Sequence, residues 1–202
     1  MGHSKAEKAQ SRERILAAAA TQIREAGIDS VSIGALMKSV NLTHGGFYGH
    51  FVSRNALVAA ALEQALADGE RASTVHTGVR GTATVKSIVN SYLSPAHRDH
   101  PGTGCAIPSL AGEVGRATPE VRAIMAEQLD RSFEAMAVAL GDGDGDGGDQ
   151  FAVSAWSMMI GAMMISRMQN DPSRADQILA MARKSVLALA AQNKADRGTE
   201  VA

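Results

Sequence analysis

The chain lacks several features that secreted, membrane and catalytic proteins use. Its 202 residues include a single cysteine, Cys105, so no internal disulfide can form and a reducing compartment is predicted. No positively charged, apolar leader opens the chain, which also predicts the cytoplasm. The apolar stretch Gln150–Ser166 has seventeen uncharged residues, only the short end of the roughly 17–25 that span a bilayer, and serines interrupt it. No Gly-x-Ser-x-Gly elbow, nucleotide loop or paired-carboxylate motif occurs, so neither a membrane protein nor an enzyme is predicted.

Aromatic residues are also scarce, at 3% of the chain, whereas alanine and methionine are frequent. Glycines and prolines fall mostly between apolar periodic runs, a composition typical of an all-α protein. The net charge of −1 is unevenly distributed. Residues 1–54 carry seven Lys/Arg and four Asp/Glu, and the rest carry thirteen and seventeen. A basic head of this kind can bind phosphate, although a chance distribution explains the difference equally well.

The stretch Thr43–Phe51 is the most informative part of the chain. On a helix, Phe47 and Phe51 share one face, and His44 and Tyr48 share the neighbouring face. Two aromatic side chains can therefore anchor in a small core while a histidine and a phenol point outward. The three glycines cost about 1 kcal/mol each against alanine in a helix, so local propensity does not explain them. Glycine does permit close approach of the backbone to another large body.

The residues before this stretch predict a compact helical motif. A first helix is indicated from about Ser11 to Ala26, with Gly27 placed to end it. Ser32–Val40 predicts a second, short helix, and Asn41 can adopt the left-handed conformation that a tight helix–helix turn requires. Helix, short turn and helix with an outward polar face is the arrangement that enters a DNA major groove.

The residues at the amino terminus are polar. Residues 1–9 are predicted to be a mobile, solvated tail. The alternative is a basic arm in which Lys5, Lys8 and Arg12 reach DNA phosphates or the minor groove.

The segment Ser32–Phe51, with Arg14–Gly27 before it and Ser53–Leu66 after it, resembles the amino-terminal domain of the TetR family of bacterial transcription regulators. Phe47-Tyr48-x-His50-Phe51 is the most specific part, and the remaining two thirds agree in length and helical pattern. The resemblance implies an all-α fold of about nine helices. It implies a three-helix, helix-turn-helix DNA-binding domain at 9–69, with its motif at 32–51, then a helical ligand-binding and dimerisation domain at 70–193 and a tail at 194–202.

The resemblance also implies roles for individual residues toward double-stranded DNA. Positions matching Thr43, Tyr48, His50 and Arg54 contact the sugar-phosphate backbone in the family, and those matching His44 and Gly45 face base edges. The predicted DNA-binding set is Ser32, Lys38, Thr43, His44, Gly45, Tyr48, His50 and Arg54. The second helix departs from the pattern because Gly34 and Ala35 offer few side-chain atoms to bases, so specificity is expected to depend on DNA shape and on both half-sites of a palindromic operator.

The remainder of the chain predicts further helices. Ser53 can cap the next helix, which is predicted to run to about Glu70. A stripe over residues 85–92 ends before Pro95, and Ser94–Gly104 is predicted to be a polar loop. Thr118-Pro119-Glu120 combines an N-cap, an N1 proline and an acid, which predicts a helix start. Gly141–Asp149 is predicted to be a flexible acidic linker. In the family the last two long helices form the dimer, which predicts a homodimer through about residues 150–193.

The family mechanism implies a small, mostly apolar effector that releases the repressor from DNA. Adaptable methionines and large aromatics of the predicted body could line its cavity, although core packing explains the same residues equally well. The predicted ligand-binding set is Tyr92, Cys105, Met125, Phe133, Met136, Trp156, Met159 and Met163.

The residues around Cys105 and the acidic linker raise the possibility of other functions. His97, Asp99 and His100 precede Cys105, but their spacing matches no common zinc pattern, so no metal or cofactor is predicted. The acidic linker imitates a calcium loop, but its twelfth position is Val153 instead of an acid. Alternatives to a ligand-released repressor are a thiol-based redox or electrophile sensor through Cys105, aided by Arg98, a thiol enzyme using Cys105 with His97 or His100, and a helical adaptor that binds only protein.

Overall fold

A computed structural model describes the backbone of residues 5–77, 83–141 and 146–200, and the side chains of residues 5–72, 83–141 and 147–196. Every regular element in these ranges is helical, which confirms the predicted all-α class. Among the helices described, none combines the length and apolarity that crossing a bilayer requires. The α-helices are α1 (Lys5–Ala26), α2 (Ile33–Ser39), α3 (Arg54–Thr77), α4 (Val85–Tyr92), α5 (Pro95–Asp99), α6 (Ile107–Val114), α7 (Pro119–Leu140), α8 (Asp146–Arg167) and α9 (Pro172–Glu200), with 3₁₀-helices at Ile28–Ser30 and His44–Gly49.

The first of two compact units contains the chain up to Gly69 together with Pro101–Met125. Its core is built by the predicted apolar face of α1, by α2, by the aromatic pair of the second 3₁₀-helix and by the first half of α3. Fully buried side chains include Ile15, Ala19, Ile23, Leu36, Met37, Phe47, Leu57 and Leu62. Burial of this many apolar side chains is the main source of stability for so small a unit.

The ends of α1 and α2 follow the local sequence as predicted. Gly27 has φ 85° and ends α1, a conformation that glycine adopts without steric cost. Asn41 has φ 59° and follows Val40, the C-cap of α2. The Leu42 amide donates to the Met37 carbonyl at 2.8 Å and the Asn41 amide donates to the Lys38 carbonyl at 3.1 Å. These two bonds make a Schellman motif, which satisfies the last carbonyls of α2 and fixes the tight turn.

Two predictions for the first unit are wrong in extent. α1 begins at Lys5, so residues 5–9 are helical and not part of a mobile tail; residues 1–4 lie outside the described range. α3 continues to Thr77 instead of ending near Glu70. Its start agrees with the prediction, because the Ser53 hydroxyl accepts a hydrogen bond from the Ala56 amide at 3.1 Å.

The second compact unit contains Glu70–His100 and the chain from Ala126 onward. Helices α8 and α9 pack together along their length. Asn193 Nδ2 donates to the Gly147 carbonyl at 3.3 Å. Because this bond joins the end of α9 to the start of α8, the two helices are antiparallel. The α8 face toward this core includes Phe151, Ala155, Met159 and Met163, and the α9 face includes Ala175, Leu179 and Val186.

The prediction of a polar loop at Ser94–Gly104 is wrong for its first half. The Ser94 hydroxyl accepts a hydrogen bond from the His97 amide at 3.2 Å, and Pro95 occupies the first turn, so α5 forms. α6 was not predicted. In the acidic linker Gly141–Asp149, α8 begins already at Asp146, and residues 142–145 lie outside the described range. The division into domains at 9–69, 70–193 and 194–202 stays a prediction.

Candidate nucleic-acid interface

The predicted recognition helix is a 3₁₀-helix over His44–Gly49, not an α-helix. Three of its six residues are glycine, which has low α-helical propensity, and short 3₁₀ segments are common where an α-helix is not sustained. Thr43, whose hydroxyl would favour it as an N-cap, occupies the N-cap position, but its side chain makes no capping hydrogen bond. Ser32 likewise precedes α2 without a side-chain cap.

Aromatic packing orients this short helix. Phe47 is 0% exposed and Phe51 is 5% exposed, and their rings stack with centroids 5.8 Å apart. The Tyr48 ring meets the Phe47 ring edge-on at 5.2 Å, yet Tyr48 remains 65% exposed. The sequence predicted this division into two anchors and an outward phenol, and the burial confirms it. The Tyr48 phenol is therefore available for contact with a partner molecule.

The other predicted DNA-binding residues lie on or beside the same motif. His50 is half-buried at the end of the 3₁₀-helix, and Arg54 is half-buried at the start of α3. The exposed members are Ser32, Lys38, Thr43, His44, Gly45 and Tyr48. Their contacts with DNA stay a prediction.

Arg54 has a structural role that the sequence did not indicate. Its Nε donates to the Val31 carbonyl at 2.9 Å and its Nη2 donates to the Ile28 carbonyl at 2.7 Å. Nη2 also lies 3.8 Å from Asp29 Oδ1. The guanidinium therefore ties the start of α3 to the turn that precedes α2, and any contact with phosphate would use its remaining N–H donors.

Two arginines of α1 also contact the helix-turn-helix motif. The Arg12 guanidinium carbon lies 5.0 Å from the centroid of the Phe51 ring, a cation–π geometry. Arg14 Nη1 donates to the Val40 carbonyl at 3.4 Å, at the end of α2. Neither residue belongs to the predicted DNA-binding set.

A charged cluster supports the motif from within the first unit. Arg24 is 6% exposed. Its Nε donates to the Gly102 carbonyl at 2.7 Å, and its Nη1 lies 3.4 Å from Asp68 Oδ2. Glu113 Oε2 accepts a hydrogen bond from the Ile28 amide at 2.7 Å. These bonds hold the end of α1 and the following turn in place.

Six of the eight predicted ligand-binding residues belong to the second unit. Tyr92 and Trp156 meet edge-on at 5.0 Å, and Tyr92 and His97 do so at 4.7 Å. Trp156 Nε1 donates to the Ser132 carbonyl at 2.9 Å. Phe133 is half-buried, and Met136, Met159 and Met163 are 0% exposed. Cys105, half-buried, and Met125, buried, belong to the first unit.

The structure does contain a groove of about 550 Å³, but it lies on α1 and α2. Ala17, Thr21, Glu25 and Leu36 are among its lining residues, and none of the predicted ligand-binding residues takes part. The assignment of an effector site to the predicted residues therefore stays a prediction.

The candidate metal ligands His97, Asp99 and His100 have other partners. His97 Nδ1 lies 2.7 Å from the Tyr92 carbonyl, and His100 Nδ1 lies 3.0 Å from the Ala96 carbonyl. Asp99 accepts a hydrogen bond from Arg98 Nε at 2.7 Å, which holds the pKa of the Asp99 carboxyl below its usual value. Within the described ranges, no group of three or more His, Cys, Asp or Glu side chains is placed to hold a metal ion.

Two family models match the chain. Residues 15–61 match the model described as bacterial regulatory proteins, tetR family. Residues 81–182, just over half of the chain, match the model described as tetracyclin repressor-like, C-terminal domain. The first match contains the whole helix-turn-helix motif.

Individual relatives agree with these models. The HTH-type transcriptional regulator UidR of Escherichia coli K12 is 32% identical over 126 residues, a match that spans 62% of this chain and 62% of that protein. The crystal structure of reduced E. coli NemR has a TM-score of 0.72 at 22% identity, covering 88% of this chain and 95% of that one. A TetR-family regulator from Cytophaga hutchinsonii has a TM-score of 0.75 at 20% identity, covering 93% and 98%. The two solved structures show the likeness in fold.

Proposed function

The chain belongs to the TetR family of bacterial transcription regulators, and on that premise we propose that it is a cytoplasmic, dimeric repressor that a small, mostly apolar effector releases from a palindromic operator. Family membership makes it a helix-turn-helix regulator and not an enzyme. The observation that carries the proposal is the exposed face of His44–Gly49, which the buried Phe47–Phe51 pair holds outward.

This face would read DNA with few side chains. His44 and Tyr48 are its projecting residues, and a Cβ added at Gly45 or Gly49 would meet nothing within 4 Å of the protein itself. Since the fold does not require glycine at these two positions, their bare backbone is suited to close approach to the duplex. Phosphate contacts would set the register, and His44 would carry most of the side-chain readout of bases.

Dimerisation is proposed through α8 and α9. Both helices bury one face in the second unit and leave large apolar side chains exposed. Ile165 on α8 is 51% exposed, Met168 directly after α8 is 71% exposed, and Met181 on α9 is 64% exposed. A second copy of the same helices would cover them, and the resulting twofold axis would give two recognition helices for the two operator half-sites.

The effector site is proposed near the aromatic cluster of Tyr92 and Trp156, with the neighbouring buried methionines. Methionine side chains repack easily, so they could adapt the shape of a cavity to an apolar effector. Release from DNA requires that the effector bind more tightly to a conformation that fits the operator less well.

The experiment that tests the proposal is selection of genomic DNA fragments by the purified protein, followed by sequencing. We expect a palindromic site upstream of its own gene, bound with a steep dependence on salt. Analytical ultracentrifugation would then give the stoichiometry of the complex. A protein that stays monomeric, or that ignores every duplex at low salt, would contradict the proposal.

The thiol-sensing alternative is tested on the same DNA. If Cys105 is the sensor, Cys105→Ser binds the operator like the wild type but no longer releases it after treatment with an oxidant or an electrophile. If release by such reagents is absent or unaffected by the substitution, Cys105 is a packing residue.

A further inference from the structure

One face of helix α1 is basic and exposed in its first half and apolar and buried in its second half. Residues spaced by three and four share one face of an α-helix. On α1 this spacing connects the basic residues Lys5, Lys8 and Arg12, which are exposed, with the fully buried Ile15, Ala19 and Ile23. The face that packs in the core therefore becomes basic in the two turns that extend beyond the core.

Arg12 connects this basic stretch with the recognition helix. Its guanidinium lies over the ring of Phe51, 5.0 Å from the centroid. Phe51 stacks on Phe47, and Phe47 contacts Tyr48, the exposed phenol of the recognition helix. A row of three contacts thus leads from Arg12 to the surface proposed to face DNA.

The chemistry of the stretch suits phosphate. A guanidinium held over an aromatic ring still has N–H donors in its own plane, and a planar fork of donors matches phosphate oxygens. In the part of the chain that the structure describes, none of the three basic side chains forms a salt bridge. The nearest acids in sequence, Glu7 and Glu13, are one or two residues away from members of the stripe, and such neighbours do not share a helix face.

We propose that Lys5, Lys8 and Arg12 form a phosphate-binding stripe that holds the duplex beside the recognition helix. The inference rests on the proposed function, since it assumes that His44–Gly49 faces DNA. It assigns to α1 a part of the binding energy that is independent of base sequence, because phosphates carry charge but no sequence information.

The test compares two double variants of the full-length protein. Lys8→Ala/Arg12→Ala removes two charges from the stripe, and Arg116→Ala/Arg122→Ala removes two exposed charges elsewhere in the same compact unit. Fluorescence anisotropy would measure binding to a mixed-sequence duplex and to the selected operator over a series of salt concentrations. Because phosphate contacts carry no sequence information, the effect of the stripe should be the same on both duplexes.

For the stripe variant we expect the slope of log K against log salt to fall by about 0.9 for each lost contact, on both duplexes alike. The control variant should keep the wild-type slope. Arg12→Lys keeps a cation and should therefore retain most of the wild-type salt slope. This variant separates the charge of Arg12 from its packing on Phe51. Thermal melts would verify that all variants fold.

Two outcomes would contradict the proposed phosphate-binding stripe without contradicting the proposed repressor function. In one, the stripe variant binds with the wild-type slope, and the three residues are a solvated helix face. In the other, both double variants weaken binding equally, and the effect is one of net charge. If the wild type and the control bind no duplex at any salt concentration, the proposed function and the stripe fail together.

Discussion

Arg24 donates a hydrogen bond from Nε to the carbonyl oxygen of Gly102, 78 positions later in the chain, at a distance of 2.7 Å. The same guanidinium donates from Nη1 to the Ala65 carbonyl at 3.2 Å and pairs with Asp68. One buried side chain thus joins α1, α3 and the loop before α6. Because Pro101–Met125 belongs to the same compact unit as the helix-turn-helix motif, this segment is part of the platform that holds the recognition helix.

We therefore expect Arg24→Ala to destabilise the protein by about 3 kcal/mol, because it removes the donor to the Gly102 and Ala65 carbonyls and the cation that pairs with Asp68. Urea denaturation followed by circular dichroism would measure the change in the free energy of unfolding. Arg24→Lys should recover only part of it, since one ammonium group cannot reach all three acceptors. The matched control, Arg116→Ala at an exposed position, should stay within about 0.5 kcal/mol of the wild type. An Arg24→Ala protein as stable as this control would show that the cluster contributes little.

Alanine substitutions at Gly27 and Gly112 are expected to change stability in opposite directions. Gly27 has φ 85°, and an added Cβ would meet the Glu113 carboxylate, which is itself held by the Ile28 amide. Gly27→Ala should therefore cost about 1–2 kcal/mol or more. Gly112 lies within α6 with nothing within 4 Å of an added Cβ, so Gly112→Ala should stabilise by about 0.5–1 kcal/mol. Thermal melts of both variants would check the signs, and a neutral Gly27→Ala would contradict the role of the positive φ.

The features that were predicted correctly are those that neighbouring residues determine. The left-handed Asn41 and Gly27 are dictated by the need to end a helix within one or two residues, and the Phe47–Phe51 pair by a spacing of four. The sequence also predicted a helix starting at Thr118-Pro119, which α7 confirms.

Two of the features that the sequence did not predict depend on residues far apart in the chain. The sequence gives no local signal for the role of Arg24, because only the fold brings it to Gly102 and Ala65. The same holds for Arg54, whose acceptors Ile28 and Val31 precede it by more than twenty positions. For α6, a local signal existed, since Pro108 lies in its first turn, where proline is favoured.

The recognition helix allows stability and DNA binding to be separated. Tyr48→Ala removes an exposed side chain, so the free energy of unfolding should change by less than about 1 kcal/mol while operator affinity falls at least tenfold. Phe47→Ala empties a fully buried site and should destabilise the fold by about 3–5 kcal/mol. Tyr48→Phe would show how much of the affinity the hydroxyl supplies. Operator binding that is unchanged in a folded double variant, His44→Ala/Tyr48→Ala, would contradict the proposed interface.

Arg54 is expected to affect both properties at once. Arg54→Gln loses the donors to the Ile28 and Val31 carbonyls, so we expect a loss of about 1–2 kcal/mol in the free energy of unfolding. If a remaining N–H also binds phosphate, the salt slope of DNA binding falls as well. Lys38→Ala, at an exposed position beside the same motif, should change the salt slope without changing stability. A wild-type salt slope in folded Arg54→Gln would limit Arg54 to its structural role.

The exposed apolar side chains directly after α8 and on α9 provide the test of dimerisation. Met168→Glu or Met181→Glu replaces an exposed side chain, so the monomer should keep its fold, but a dimer would have to bury an unpaired carboxylate. We expect the dimer dissociation constant to rise by about a hundredfold or more and operator binding to weaken with it. Val138→Glu on α7, where the wild-type side chain is 64% exposed, is the matched control and should leave the dimer intact. Sedimentation velocity over a range of concentrations would measure both. If Met168→Glu and Met181→Glu remain dimeric, or if Val138→Glu is the variant that dissociates, the dimer forms through a surface other than α8 and α9.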